Sequence, residues 1–372
     1  MRFKNGIDNT DAVHSILKGK RLGLITNPTG VNAQLESTAA ILKKHFKLQA
    51  VYGPEHGIRG DCQAGVPTEA PEIDPELGVR SYSLFGKTRH LTPEMLDGID
   101  MLVYDIQDIG ARFYTYIYTL CYAMQACAEK GIPVTVLDRT NPIGANRIEG
   151  ILLKPELHSF VGEYPIPARY GLTVGEFARF VNDKFGIGCT LNIVPCIGLA
   201  RHFYYESTSL EWVMPSPNIP TVDSAIAFIG TCIFEGTDIS EGRGTTRPFE
   251  LIGAPQLDAT ALAAHLNAIH MPGAIWRPVH FTPQFSKHAG ELCHGVQLHI
   301  TARNRFHPFD AGLLLFDAIR RQYPEITMTS HFDSILGDTT LREGKEDITA
   351  LITRARREST EFHNMIKDYW LY

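Results

Sequence analysis

Short apolar runs alternate along the first half of the chain with segments whose apolar residues recur at helical spacing. The apolar runs lead into Gly, Pro, Asn or Asp and predict strands over residues 22–26, 48–52, 101–105, 133–137 and 189–194. The periodic segments predict helices over residues 35–46, 93–96, 116–130 and 174–185. Strands and helices that alternate in this way form right-handed βαβ units, so the pattern predicts an α/β fold with a mainly parallel sheet.

Two stretches do not follow this pattern. Residues 55–91 are rich in Pro and Gly and show little periodicity, so we interpret them as a long loop of the kind that is usually functional or mobile. Residues 214–220 contain three prolines and form either a linker or a rigid wall of a site. We place a domain boundary just after them, which divides the chain into residues 1–221 and residues 222–372.

The second half is predicted to form a smaller domain that mixes strands and helices. Apolar runs predict strands over residues 225–233 and 295–301, and helical spacing predicts helices over residues 259–269 and 312–323. A long amphipathic helix is predicted over residues 347–370, because Ile348, Leu351 and Ala355 share one apolar stripe with residues further along.

Composition excludes several classes of protein. Hydrophobic residues make up 44% of the 372 residues, which is ordinary for a globular protein with a large core. The net charge is −6 and no basic stripe is present, so we do not predict nucleic-acid binding. No apolar run approaches the roughly 18 residues of a membrane span. The N-terminus has no signal peptide, so we expect a cytoplasmic protein, or an exported one if a signal has been removed.

The metal-binding and thiol residues give no clear site. The seven cysteines are odd in number and lie mostly in apolar runs, which favours buried thiols over a disulfide framework. No Cys-x-x-Cys pair and no His-Glu-x-x-His motif is present. A mixed set of Glu55, His56, Asp105 and Asp108 has suitable donor atoms, but we predict neither a metal nor a cofactor.

Ionisable residues gather where the second, third and fourth predicted strands end. Ligands of an open parallel sheet bind outside the carboxyl ends of its strands, so these residues are candidates for a functional site. They are Glu55, His56 and Arg59, then Asp105, Asp108 and Arg112, then Asp138 and Arg139. Glu55 is the strongest candidate, because a partly buried carboxyl in a tight turn can serve as a general acid. The alternative is that Glu55 only caps the loop.

Other candidates near this edge have structural alternatives. Asp108 and Arg112 are four residues apart and could simply pair on a helix face. Tyr114 and Tyr116 belong to an aromatic run that could stack on a sugar or fill the core. Glu149 follows a Gly-containing turn and is our candidate for a second catalytic carboxylate.

A dense polar motif occupies residues 234–246. We predict that Glu235, Glu241, Arg243 and Thr245 from this motif, together with Asn218, contact the substrate. Glycines in the motif allow a ligand to approach the backbone, and an arginine can bind a carboxylate in bidentate fashion. No P-loop, no Gly-x-Gly-x-x-Gly and no Gly-x-Ser-x-Gly occurs, which weakens the case for a nucleotide enzyme or a serine hydrolase.

These motifs together resemble the exo-acting β-N-acetylmuramidase family typified by NamZ, formerly catalogued as a domain of unknown function. The matching stretches cover essentially the whole chain: residues 23–30, 53–60, 104–116, 137–142, 215–220, 234–246, 281–299 and 369–372. The resemblance implies a Rossmann-like N-terminal domain, a smaller C-terminal domain and a cleft between them. It also implies hydrolysis of terminal, non-reducing β-1,4-linked N-acetylmuramic acid from peptidoglycan fragments, with Glu55 as a catalytic residue.

The residues are consistent with this chemistry and leave parts of it open. Glycoside hydrolysis generally uses two carboxyl groups, although a route assisted by the substrate's acetamido group needs fewer. With Glu55 as the acid, the second group is Glu149, Asp105 or Glu241. Candidates to bind the lactyl carboxylate of muramic acid are Arg59, Arg112 and Arg243.

Three other functions make different predictions. A non-catalytic muropeptide-binding or sugar-binding protein would bind ligand without turnover. A metal-dependent hydrolase would lose activity to a chelator, and a lyase acting on the lactyl ether would release lactate.

Overall fold

A six-stranded parallel sheet forms the centre of the N-terminal part of the chain. In the computed structural model, which describes residues 3–372, the strand order is β3-β2-β1-β4-β5-β6. The strands are β1 (Arg21–Thr26), β2 (Lys47–Gly53), β3 (Arg80–Ser83), β4 (Met101–Asp105), β5 (Val134–Leu137) and β6 (Leu191–Val194). All neighbouring pairs are parallel. The order reverses between β1 and β4, which gives the doubly wound arrangement of Rossmann-like folds.

Both faces of this sheet are buried. The helices of this part are α1 (Thr10–Leu17), α2 (Thr38–His45), α3 (Tyr116–Lys130) and α4 (Val174–Lys184). Along β4, Leu102 and Tyr104 pack in the cluster that includes α3 and α4, whereas Met101 and Val103 pack in the cluster that includes α1 and α2. Because side chains on both faces must be apolar, the strands read as continuous apolar runs in the sequence.

A smaller antiparallel sheet organises the C-terminal part. Its strand order is β7-β9-β8. The elements of this part are α5 (Val222–Thr231), β7 (Leu251–Ala254), α6 (Ala259–Ala268), β8 (Ala274–Phe281), β9 (Cys293–Ile300), α7 (Pro308–Gln322), α8 (Ser330–Leu336) and α9 (Ile348–Ile366). The α/β fold predicted from the sequence, with a mainly parallel sheet and a smaller mixed unit, is confirmed.

The two parts pack against each other through one continuous hydrophobic core. Phe113 and Phe228 meet across the junction with ring centroids 5.1 Å apart. Helix α9 crosses back to the first part, where Phe362 packs edge-on against Phe180 at 5.6 Å. The boundary expected between residues 221 and 222 falls at Thr221, whose hydroxyl accepts a hydrogen bond from the Ser224 amide and caps α5. That division stays a prediction.

The structure differs from the sequence prediction at several elements. Residues 225–233 form helix α5 and a following 3₁₀ turn rather than a strand, because a helix buried on every side has no polar face to reveal its period. The predicted loop 55–91 contains β3, and residues 93–96 form turns rather than a helix. Elements α1, β7, β8 and α8 were not predicted.

The cysteines and the helices complete this description. All seven cysteines are free thiols and six of them are buried, as the sequence predicts. Within residues 3–372, no helix combines the length and the apolar character that a membrane crossing requires.

Candidate active site

A cleft of about 680 Å³ opens between the two parts of the chain. A smaller chamber of about 90 Å³ adjoins it. The chamber walls include His56, Phe113, Tyr114, Tyr116, Ser216, Asn218, Phe228 and Phe249. Glu55, Glu235 and Arg243 line both spaces, so they stand where the cleft meets the chamber.

Glu55 is held by the tight turn that follows β2. His56 and Gly57 both adopt positive φ values, 71° and 78°. At Gly53, an added Cβ would lie 2.7 Å from the Ile58 amide nitrogen, so only glycine fits this close approach. The Glu55 side chain is 9% exposed, and its Oε1 accepts a hydrogen bond from the Gly65 amide at 2.9 Å. The turn therefore fixes the carboxyl at the mouth of the chamber.

Thr115 holds the other oxygen of Glu55. Its hydroxyl donates to Glu55 Oε2 at 2.7 Å. Thr115 is the N-cap residue of α3, but its side chain makes no capping bond to the helix. A backbone amide can only donate, whereas a hydroxyl can donate or accept. When Glu55 is protonated, its proton is therefore carried by Oε2.

His56 is a neutral neighbour of Glu55. Burial lowers the pKa of His56, although the charge of Glu55 opposes this. The His56 Nδ1 atom lies 2.7 Å from the Cys62 carbonyl oxygen. In the neutral ring the proton therefore lies on Nδ1 and is donated to that carbonyl, which leaves Nε2 as an acceptor.

Glu235 is an ionised carboxylate in the cleft. Its Oε1 accepts a hydrogen bond from Arg243 at 2.6 Å, and its Oε2 lies 3.5 Å from His331 Nε2. Burial raises the pKa of Glu235, but the guanidinium of Arg243 and the contact with His331 outweigh burial and lower the pKa to about 2. The site thus combines Glu55, whose two oxygens are held by the Gly65 amide and the Thr115 hydroxyl, with a Glu235 carboxylate that is held ionised.

Glu241 and Lys287 extend the charged cluster. The Lys287 ammonium donates to Glu241 Oε2 at 2.8 Å and to the carbonyl oxygens of Phe234 and Ile239. Glu241 Oε1 also lies 3.4 Å from Arg243 Nε. All three protons of the ammonium are used within the protein, and Arg243 is shared by two acids.

Aromatic side chains form the apolar walls of the site. Phe85 and Phe160 line the cleft with ring centroids 5.7 Å apart, and Phe285 lies at the cleft with 42% of its surface exposed. Tyr114 and Tyr116 meet edge-to-face at 4.9 Å beside the chamber. Such walls suit a pyranose ring, whose faces are apolar while its edge is polar.

The proline-rich stretch 214–220 is a wall of the chamber and not a linker. The carbonyl oxygen of Pro215 accepts hydrogen bonds from Tyr116 and Asn27. Asn218 lines the chamber and donates to Gln63 of the long loop at 3.0 Å. Of the two alternatives left by the sequence, the rigid wall is confirmed.

Asp105 and Asp108 lie at the strand edge but line neither the cleft nor the chamber. Asp105 is fully buried in an ion pair with Arg139, at 2.5 and 2.9 Å. Asp108 accepts hydrogen bonds from Tyr170 and the Gly110 amide, and burial raises its pKa to about 6. The crevice where the strand order reverses is the usual ligand site of this fold. Here the protein's own side chains fill it, and a cavity of only about 10 Å³ remains.

Of the three arginines predicted to bind the lactyl carboxylate, Arg59 and Arg112 do not line the cleft. Arg59 pairs with Asp74 and Glu76 on the loop surface, with 44% of its side chain exposed. Arg112 is completely buried, and its guanidinium donates to carbonyl oxygens in both parts of the chain, including that of Ile335. Arg112 joins the two parts.

Glu149 and Thr245 likewise have partners within the protein. Glu149 is 7% exposed, pairs with Arg169 at 2.6 Å and does not line the cleft or the chamber. The Thr245 hydroxyl donates to the Gly242 carbonyl oxygen and stabilises the loop that carries Arg243. Of the carboxylates that the sequence offered as a partner for Glu55, only Glu241 reaches the cleft.

Several residues of the cleft were not identified from the sequence. They are Gln63, Phe85, Arg89, Thr115, Phe160, Phe285, Lys287 and His331. Thr115 could have been found as the N-cap type of residue that precedes a predicted helix. The others lie in loops without periodicity. Among the described residues, no three His, Cys, Asp or Glu side chains are grouped so as to hold a metal ion.

Comparison with known proteins places the whole chain in one family. The family models for exo-β-N-acetylmuramidase NamZ match residues 22–223 (N-terminal model) and 226–372 (C-terminal model). The chain is 49% identical over 364 residues to the peptidoglycan β-N-acetylmuramidase NamZ of Bacillus subtilis (strain 168), which covers 96% of this chain and 88% of that protein.

Solved structures give the same result. Two crystal structures of DUF1343 family proteins from Bacteroides fragilis NCTC 9343 match with TM-scores of 0.92 and 0.80, at 38% and 28% identity. Each match covers 100% of this chain and 99% of the other. This chain belongs to the exo-β-N-acetylmuramidase NamZ family.

Proposed function

We propose that this protein hydrolyses the bond of a terminal, non-reducing β-linked N-acetylmuramic acid residue in peptidoglycan fragments, with Glu55 as the general acid. The observation that carries the proposal is that Glu55 and an ionised Glu235 both line the place where the cleft meets the chamber. Membership of the family and the name of the Bacillus subtilis relative support the choice of substrate.

In the proposed reaction Glu55 Oε2 gives its proton to the glycosidic oxygen. The bond from that oxygen to C1 then breaks, and the rest of the fragment leaves as an alcohol. Positive charge develops at C1 and the ring oxygen, and the Glu235 carboxylate stabilises it. Water supplies the oxygen that ends on C1, and its proton replaces the one that Glu55 gave up.

The chamber suits the 2-acetamido group of the same sugar. The hydroxyl of Tyr114 is buried beside the chamber, near the side chains of Ser216 and Tyr116. Burial raises the pKa of Tyr114 well above its usual value, so this hydroxyl remains a donor. A substrate carbonyl in the chamber would accept a hydrogen bond from it.

The test is hydrolysis of a 4-nitrophenyl β-N-acetylmuraminide and of an N-acetylmuramic acid-N-acetylglucosamine disaccharide. The proteins are the wild type, Glu55→Gln and, as matched control, Glu69→Gln, which removes an exposed carboxylate from the same loop. General acid catalysis is typically worth about 10² to 10⁴-fold. Nitrophenolate leaves without help from an acid, so the loss in Glu55→Gln should be larger for the disaccharide.

Each outcome separates the alternatives. Turnover by wild type and control, and its collapse on the disaccharide in Glu55→Gln, supports the proposal. If Glu55→Gln is as active as the wild type on both substrates, Glu55 is not the general acid. Ligand binding without turnover favours a binding protein, loss of turnover in EDTA favours a metal-dependent hydrolase, and released lactate favours a lyase.

A further inference from the structure

The cleft is lined by equal numbers of carboxylates and of arginine or lysine side chains, but not all of them form ion pairs. Three carboxylates, Glu55, Glu235 and Glu241, and three cations, Arg89, Arg243 and Lys287, line the cleft. Arg243 and Lys287 form ion pairs with Glu235 and Glu241. His331 also lines the cleft, where it lies against Glu235. Among the carboxylates, arginines and lysine alone, a protonated Glu55 leaves one positive charge in surplus. That charge belongs to Arg89.

Arg89 is positioned by aromatic rings rather than by an acid. Its guanidinium carbon lies 4.1 Å from the ring centroid of Phe160 and 5.4 Å from that of Phe85. Phe85 is buried and the half-buried Phe160 stacks in turn on Tyr122, so both rings are supported beneath the exposed Arg89 side chain. No acceptor among residues 3–372 forms a hydrogen bond or ion pair with Arg89. Stacking leaves the edge of a guanidinium free to bind a carboxylate with two parallel hydrogen bonds.

We propose that Arg89 binds the lactyl carboxylate of the terminal muramic acid residue and selects muramic acid over N-acetylglucosamine. This inference rests on the proposed function, since it names the group that reads the 3-O-lactyl substituent of that substrate. The three arginines expected from the sequence are otherwise engaged, since Arg59 and Arg112 lie outside the cleft and Arg243 is neutralised by two acids.

The proposal also defines which fragments are good substrates. In a peptide-bearing muramic acid residue the lactyl carboxyl is an amide and carries no charge. Arg89 then gains no ion pair, and the bulk of a peptide must lie against the same rings. Fragments whose peptide has been removed should therefore bind more tightly than peptide-bearing ones.

The test compares N-acetylmuramic acid with its lactyl amide, which has the same shape but no charge. Binding is measured by calorimetry in a Glu55→Gln background, so that it does not depend on turnover. The variants are Arg89→Met, which keeps an apolar stem on the rings, and Lys87→Met, which removes an exposed positive charge from the same loop but not from the cleft lining. With Glu55 restored, kcat/KM is then measured for two disaccharides, one with a free lactyl carboxyl and one with the lactyl amide.

In Arg89→Met we expect the affinity for N-acetylmuramic acid to fall by about tenfold to a hundredfold, as for a lost charged hydrogen bond. Affinity for the amide should change by less than about twofold, and Lys87→Met should resemble the parent protein. An equal fall for acid and amide, or no fall for either, overturns the proposal. If the parent protein binds acid and amide differently but never hydrolyses a disaccharide, the proposed function fails while the role of Arg89 in recognition stands.

Discussion

Replacing Arg243 by Gln should move the acidic limb of the pH–rate profile to higher pH, because Arg243 keeps Glu235 ionised. The usual pKa of 4.5 falls to about 2 in the folded protein, a difference of 2.5 units. At 1.36 kcal/mol per unit this corresponds to about 3 kcal/mol of interaction with the ionised form. Burial acts in the opposite direction and only the contact with His331 still favours the ionised form, so without the guanidinium the pKa of Glu235 should rise well above 2.

The assay is kcat/KM for the nitrophenyl muraminide as a function of pH. In the wild type Glu235 loses its charge only near pH 2, so its acidic limb lies at the low-pH end of the profile. In Arg243→Gln this limb should move to higher pH, and Arg243→Lys should give a smaller displacement because it keeps the charge.

Arg247→Gln is the matched control for this experiment. Arg247 belongs to the same loop, is half-exposed and pairs with Glu250 outside the cleft. Its profile should follow that of the wild type. An Arg243→Gln protein that stays active with an unshifted acidic limb would refute the reasoning, because the ionised state of Glu235 would then not be needed for catalysis.

Three further predictions concern positioning and stability. Thr115→Val should lower kcat by about tenfold, the worth of one hydrogen bond, with little change in KM. Thr119→Val, one turn along α3, is the control and should leave kcat unchanged. Arg169→Met should lower the free energy of unfolding in urea by about 3 kcal/mol, because the buried Glu149 carboxylate loses its partner at 2.6 Å and keeps only the longer contacts with Arg147 and His307. Adding Glu149→Gln should restore most of the loss with kcat unchanged. The pKa of Asp108 is raised from 3.8 to about 6, so its contribution to stability is present below pH 3.8 and lost as the pH rises through 6. Asp108→Asn should therefore gain about 3 kcal/mol relative to wild type across that window, measured by unfolding at both ends. An equal effect of Asp108→Asn at both ends would show that the pKa of Asp108 is not raised in the folded protein.

The sheet could be predicted because burial on two faces leaves a direct record in the sequence. Strands such as β4 are continuous apolar runs, and helices such as α9 have a polar side. Helix α5 could not be recognised as a helix for the same reason, because it is buried on all sides. The edge strand β3 lies in a Pro- and Gly-rich loop, and four residues carry too little pattern to distinguish it.

The site was predicted in part. Glu55, Glu235, Glu241 and Arg243 follow elements that end at the cleft, and their residue types pointed to them. Position along the chain could not separate them from residues such as Asp105, because a carboxylate buried in an ion pair and one facing a substrate look alike in sequence. The ion pairs of an arginine in the cleft depend on contacts between loops that are distant in sequence. The structure was therefore needed to show that Arg89 has no acidic partner there, whereas Arg243 has two.

The two carboxyl groups proposed to act in hydrolysis are carried by different parts of the chain, so their separation depends on how the two parts pack. Glu55 follows β2, whereas Glu235 follows α5. The distance between two such groups decides whether a glycosidase retains or inverts configuration. Here the junction between the parts sets that distance, and Arg112 and the ring pair Phe113 and Phe228 hold the junction together. In the proposed reaction, substitutions at this junction should therefore alter rate and stereochemical outcome without touching a sugar, and either part alone would lack one of the two carboxyl groups.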